Sequence, residues 1–269
     1  MCSISDMLNI YLLAYVYFNI SFPPCQSGKV KKIKFFSHKM WQTGKIMLKN
    51  KIDDGFNPEL VSGAFFDGIL EIPQIKRPDK IIIPSALIPF SQRNRSDNYK
   101  EFVHFYEHDK NFATVLTAAK EHFDCLKKFQ GVISPDCSLY RDMPLVLQIT
   151  NTYMNRAIGH YLQSKGLYVI PNIRWGDERS YTTIELPEKF AFLGVPKRSI
   201  VSIGTYGCIK SKENKIYFTE GLEAMLDELE PEVVLVYGGM PDSIFTKVKD
   251  RTKFVHYPDW TSLQKRRSA

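Results

Sequence analysis

The sequence lacks the short signatures that would name a reaction at once. Its five cysteines, at positions 2, 25, 125, 137 and 208, include no C-x-x-C pair and are odd in number. Neither a disulfide framework nor a zinc or iron–sulfur site is indicated, and scattered thiols fit a reducing, cytoplasmic setting. There is no Walker loop, no G-x-G-x-x-G, no H-E-x-x-H and no G-x-S-x-G. Kinase-like, dinucleotide-dependent, zincin and nucleophile-elbow readings therefore lose their support, and no cofactor or metal is expected. Long apolar runs are missing too. Met7–Phe22 is apolar but has only sixteen residues and contains Asn9 and Asn19, whereas a membrane span needs about 20. No basic stretch precedes it and no small-residue cleavage site follows, which argues against a signal peptide. Glycine and proline, at 15 each, are too few for a collagen-like or low-complexity chain.

What is present is the composition of an ordinary globular protein: 269 residues, 44% apolar, 24% charged, with a net charge of +7. The charge is uneven. Residues 1–55 hold eight lysines against Asp6, Asp53 and Asp54, and the chain closes on Lys265-Arg266-Arg267. Such ends can hold phosphates, so nucleic acid is a candidate partner there, although solvated lysine runs are common. Lysines after residue 28 could also flank a membrane tether, but a simple extension, or a true start at Met40 or Met47, accounts for the front of the chain more economically. The expected organisation is an N-terminal extension over 1–55, a single α/β domain over 56–260 and a basic tail over 261–269.

From Asn57 the pattern changes to short β-branched runs: Ile69–Pro73, Lys80–Pro84, Phe102–Glu107, Gly131–Pro135, Leu167–Ile173, Ser199–Gly204, Val233–Tyr237 and Lys253–Tyr257. Three segments between them have helical period, Ala113–Phe129, Leu145–Lys165 and Phe218–Leu229. Strand and helix alternating in this way predict a parallel sheet with crossover helices. Eight candidate strands point to a barrel-like, (β/α)8-related sheet, with a loop-rich, helix-poor start because Gln74–Asp79 and Ser85–Glu101 read only as loop.

In a parallel architecture ligands bind beyond the carboxyl ends of the strands, and polar residues crowd those ends here. Asp136 follows a core strand and could act as acid or base, or simply end a turn. Glu107 lies among His104, His108 and Asp109, a group too thin in convergent ligands for a metal site. Asn172, Arg174, Trp175 and Asp177 form the densest stretch. An Arg fork suits a phosphate or carboxylate, and a Trp face suits a sugar or base; a loop salt bridge beside a core Trp is the plainer account. Asp177 or Glu107 could supply a second carboxylate to Asp136. Arg141, Thr205, Tyr206 and His256 add polar or aromatic groups, and Gly204, Gly207, Gly238 and Gly239 could shape a pocket floor or expose amides to an anion.

Seven stretches together, FNPELVSGAFFDGILEIP, VHFYEHD, GVISPDCSLYRDMP, TNTYMNRAIGHYLQ, YVIPNIRWGDERS, SIVSIGTYGCIKSK and VVLVYGGMP, span about residues 56–258. In these the chain resembles an uncharacterised bacterial family, a domain of unknown function common in phages, prophages and other mobile elements. The resemblance implies a cytoplasmic protein of a mobile-element setting and supplies no catalytic roles. The expectation is a hydrolase acting on a phosphorylated, sugar-containing or nucleotide-like small molecule. Asp136, with Asp177 or Glu107, would carry the chemistry, Arg174 would clamp an anion and Trp175 would stack. The alternative is a non-enzymatic nucleic-acid- or protein-binding accessory factor.

Overall fold

A computed structural model describes residues 57–268, with the backbone alone for 266–268. The apolar segment Met7–Phe22, the front lysines and the question of the true start lie outside the described residues, as do the side chains of Arg266 and Arg267.

The described residues open with a short 3-10 turn, Pro58–Val61, and a small antiparallel pair, β1 (Phe66–Asp67) and β2 (Ile72–Pro73). Seven parallel strands then follow in chain order. A four-stranded ladder holds β3 (Leu87–Pro89), β4 (Phe102–His104), β5 (Gly131–Ile133) and β6 (Val169–Ile170). A three-stranded ladder holds β7 (Ile200–Gly204), β8 (Val233–Tyr237) and β9 (Lys253–Tyr257). A single parallel bridge, Asn172 to Ser202, links the two. The result is a mixed α/β architecture built on parallel sheets. Among the described residues no ladder returns from β9 to β3, so a closed eight-stranded barrel is not what the pairing displays.

Three helices cover one face: α1 (Ala113–Leu126), α2 (Leu145–Ser164) and, after the one-turn α3 (Glu178–Tyr181), α4 (Lys212–Leu229). The one-turn α5 (Asp242–Phe245) and the closing α6 (Trp260–Ser268) complete the set. Two ends of the long helices have a plain local cause. Ser211 caps α4 by accepting from the Asn214 amide at 3.0 Å. Gly166, at φ 92°, follows the end of α2.

Strand alternation sorts the side chains into faces. Val103, Phe105, Val132 and Val169 pack outward on α1 and α2. Val201, Ile203, Val234 and Val236 pack outward on α4 through Phe218, Leu222, Met225 and Leu226. The opposite face gathers Leu87, Phe102, Ile133, Ile170, Ile200, Val233, Leu235 and Tyr257 into one buried cluster with a member from every parallel strand. Burying both faces explains why these strands read as continuous apolar runs.

Two expected features differ. Lys80–Pro84 forms no strand; its Ile81, Ile82 and Ile83 pack against the inner cluster instead. The first parallel strand is β3, inside the stretch read as loop. No helix of the described residues is long and apolar enough to cross a membrane.

Candidate functional site

All seven parallel strands end on the same side, and residues at or just beyond their carboxyl ends line one cavity of about 500 Å³. β3 contributes Pro89 and Ser91, β4 Tyr106 to Asp109, β5 Asp136 and Ser138 to Arg141, and β6 Ile173 to Gly176. The β7 loop brings Gly204, Tyr206 to Cys208 and Lys210, β8 brings Tyr237, and the start of α6 brings Asp259 to Thr261. A cavity of this size and place suits a small-molecule ligand.

Its centre is Asp136, only 7% exposed. Asn172 donates to one carboxylate oxygen at 2.8 Å and Arg174 Nη1 to the other at 2.7 Å. Burial pushes the Asp136 carboxyl above its ordinary value, while Arg174 and Asn172 pull the other way. Arg174 is not used up by this pair. Its Nε is buried with no partner, and Nη1 is the one guanidinium nitrogen that bonds within the described residues.

A second tier holds Asn172 still. Its Oδ1 accepts from the Tyr106 hydroxyl at 2.9 Å, and that hydroxyl also meets Ser202 Oγ at 2.6 Å. The Asn172 amide donates to Ser134 Oγ. Below, Arg156 of α2 is buried and donates to the carbonyls of Asn172, Ala191 and Leu193 and to Asn155 Oδ1. Burial draws its guanidinium down to about 9. These bonds tie the turn that carries Asn172 and Arg174 to helix α2, fixing the geometry at Asp136.

The floor is aromatic. Tyr106 and Tyr237 stack with centroids 4.7 Å apart, and His104 lies 4.4 Å from Tyr237. A Cβ on Gly204 would meet the Tyr106 ring at 2.8 Å, so the ring depends on glycine there. Burial pushes the His104 imidazole down to about 3, which keeps it neutral; Nδ1 accepts from the Tyr106 amide and Nε2 has no partner.

Of the residues singled out in the sequence, the cavity brings together Asp136, Glu107, Arg141, Arg174, Trp175, Gly204, Tyr206 and Gly207. Glu107 is held by the Ser91 amide and by Asn111. Arg141 pairs with Glu213. Trp175 reaches the wall but is mainly core, against Phe218 and directly over Gly221, where a Cβ would collide with the indole at 2.3 Å. Asn172 acts through Asp136. Asp177, Thr205, Gly238, Gly239 and His256 are not among the lining residues. Asp177 caps α3 and pairs with Arg179. Thr205 donates to the Gly239 carbonyl, and His256 Nε2 lies 2.6 Å from the Gly238 carbonyl. Sequence reasoning did not single out Asp109, Tyr140, Lys210, Tyr217, Asp259 or Trp260 as site residues, though Asp259 and Trp260 sit immediately past β9, where the strand-end rule points. Among the described residues no three or more His, Cys, Asp or Glu converge as a metal site.

The family model "Domain of unknown function (DUF4417)" matches residues 64–258, most of the chain and all nine strands. The chain belongs to this family. The DUF4417 segment takes in every strand end that lines the cavity, leaving only the Asp259–Thr261 contribution outside it. The chain is also similar to the Gene 1 protein of Mycobacterium phage L5, 30% identical over 171 residues, covering 62% of this chain and 71% of the relative. The Gene 1 protein of Mycobacterium phage D29 is 32% identical over 136 residues, 51% of this chain and 48% of the relative, so that match spans about half its length. No solved structure matches the chain.

Proposed function

We propose that this DUF4417 protein is an enzyme, a hydrolase acting on a phosphorylated, sugar-containing or nucleotide-like small molecule in the strand-end cavity. The observation that carries the reading is the Asp136–Arg174 pair in the cavity wall, with an arginine only partly satisfied by its carboxylate. A buried guanidinium with free N–H groups is an anion clamp awaiting its ligand. Asp136, raised by burial against the pull of Arg174 and Asn172, is the acid or base of this scheme. Glu107 is the second carboxylate of this scheme, since it lines the cavity and Asp177 does not.

The finer fold reading also belongs here. We take the seven parallel strands as barrel-like and (β/α)8-related. Support comes from the single inner cluster fed by every parallel strand and from the Tyr257 hydroxyl of β9 donating to the Pro84 carbonyl just ahead of β3. A cytoplasmic, mobile-element setting fits the unpaired thiols of Cys125, Cys137 and Cys208.

The test is turnover of a panel of sugar phosphates and nucleotides by the full chain and by Asp136→Asn. The reading expects hydrolysis that falls about 100-fold or more in the variant, the usual size of a general acid–base contribution. Full turnover by Asp136→Asn removes that role from Asp136.

A further inference from the structure

The two loops that flank Arg174 each present an exposed tyrosine to the cavity. Tyr140, in the loop after β5, is 54% exposed, and Tyr206, in the loop after β7, is 60% exposed. The other large side chains this exposed, such as Phe65, Ile69 and Ile184, lie away from the cavity. Because β5, β6 and β7 are neighbours in order, the two rings sit on the strands either side of the one that carries Arg174. Tyr140, Tyr206 and Arg174 all line the same cavity. Lys210 Nζ stands 5.7 Å from the centroid of the Tyr206 ring, adding a second cation at the same rim.

Exposed aromatic rings at a pocket mouth gain nothing from the solvent that surrounds them. They gain on contact with a flat, polarisable group, and a nucleobase is sequence-tolerant in this respect because every base offers a π-face. A guanidinium in the cavity wall that spends only Nη1 on its carboxylate suits an anion in the same cavity. The volume of about 500 Å³ lies within the range of sites that hold one small ligand rather than a chain.

We propose that the cavity recognises a nucleoside monophosphate, its phosphate on the free edge of Arg174 and its base stacked on Tyr140 and Tyr206. This rests on the anion-binding reading of the cavity given above and narrows it to one substrate class. A ligand of this kind leaves the Asp136–Arg174 pair intact, since Nη1 stays on Asp136 while Nη2, which no bond among the described residues occupies, takes a phosphate oxygen.

The experiment is equilibrium binding to the full chain, followed by tryptophan fluorescence and calorimetry, with AMP, ribose 5-phosphate, adenosine, inorganic phosphate and a short single-stranded oligonucleotide bearing a 5′-phosphate. AMP should bind tighter than ribose 5-phosphate. Tyr140→Ala/Tyr206→Ala should weaken AMP by roughly ten-fold or more, in line with base stacking on aromatic side chains, while leaving ribose 5-phosphate unchanged. Arg174→Lys should weaken both phosphates and spare adenosine; its circular dichroism and melting curve establish that it is folded. Ribose 5-phosphate binding as tightly as AMP, with no effect of the tyrosine variants, overturns the nucleotide assignment and leaves the anion site standing. Tighter binding of the oligonucleotide than of AMP overturns it in favour of a nucleic-acid end. Failure of every ligand to bind overturns the anion-site reading as well.

Discussion

Two carboxylate–arginine pairs whose arginines lie five positions apart in the sequence are closed at the same distance, 2.7 Å, yet they differ in what surrounds them. In Asp177–Arg179 only the outer Nη1 is left without a bond among the described residues, and it belongs to a side chain outside the cavity. Asp177 accepts from the Arg179 amide, Nε and Nη2, and the same guanidinium also donates to the carbonyls of Arg141 and Met143. In Asp136–Arg174 the carboxylate is filled by Asn172 and Arg174, but the arginine keeps free N–H groups and faces a cavity. The first pair fastens a helix turn to its neighbours; the second, in a cavity wall, is the proposed site. The sequence presents both arginines in one charged stretch around Trp175, and the partners and the cavity that the fold supplies separate them.

The sharpest way to break this contrast is to remove the central carboxylate. Asp136→Ala leaves Arg174 buried without its counter-charge and should cost about 3–5 kcal/mol, measured by urea unfolding. A loss below about 1 kcal/mol would place the pair among solvent-screened ones. The second effect is an acid limb from the buried histidine packed against Tyr106 and Tyr237. His104 is held neutral, so its contribution is complete above its ordinary value of 6.5 and is lost as pH falls from there towards about 3. His104→Asn, which keeps an acceptor for the Tyr106 amide, should flatten the stability profile across that window; an unchanged profile would show that His104 is not the group responsible. Third, Asp177→Ala should cost about 1–2 kcal/mol through the lost cap with ligand binding unaltered, and a change in affinity there would dissolve the distinction between the two pairs. The smallest effect is reserved for Arg77–Glu232, where the side chains are 54% and 49% exposed. Arg77→Ala should move the melting curve by no more than about 0.5 kcal/mol.

Much of the frame is legible in the residues, and the lapses have physical causes. Val233–Tyr237 and Lys253–Tyr257 are strands over the bounds their apolar runs suggest, because pairing on both sides or with one long neighbour suits a continuous run. Lys80–Pro84 has the same composition but no partner strand; its isoleucines serve as filling for the inner cluster, which hydrophobicity alone does not distinguish from a strand. Leu87–Pro89 was hidden by its brevity and by the prolines around it. Helix α4 starts six residues ahead of its apolar period, at the Ser211 cap. For the site, the strand-end rule brought Asp136, Glu107 and Arg174 to one cavity, since topology alone decides where strand ends go. Asp177 and His256 went astray because side-chain direction and local capping are set by partners distant in sequence or by a single turn. Asp109, Lys210, Tyr217 and Trp260 went unmarked for the same reason: each reaches the cavity from a loop or helix whose approach is fixed by packing.

The most direct test of the account sets the two pairs against each other in one measurement: thermal shift of the full chain with nucleotides, sugar phosphates, divalent metals and short DNA, repeated on Arg174→Lys and Arg179→Lys. The account predicts a shift with a phosphorylated small molecule that disappears in Arg174→Lys and persists in Arg179→Lys. A shift seen only with DNA, abolished by salt and indifferent to Arg174→Lys, would contradict it and move the function away from the strand-end cavity.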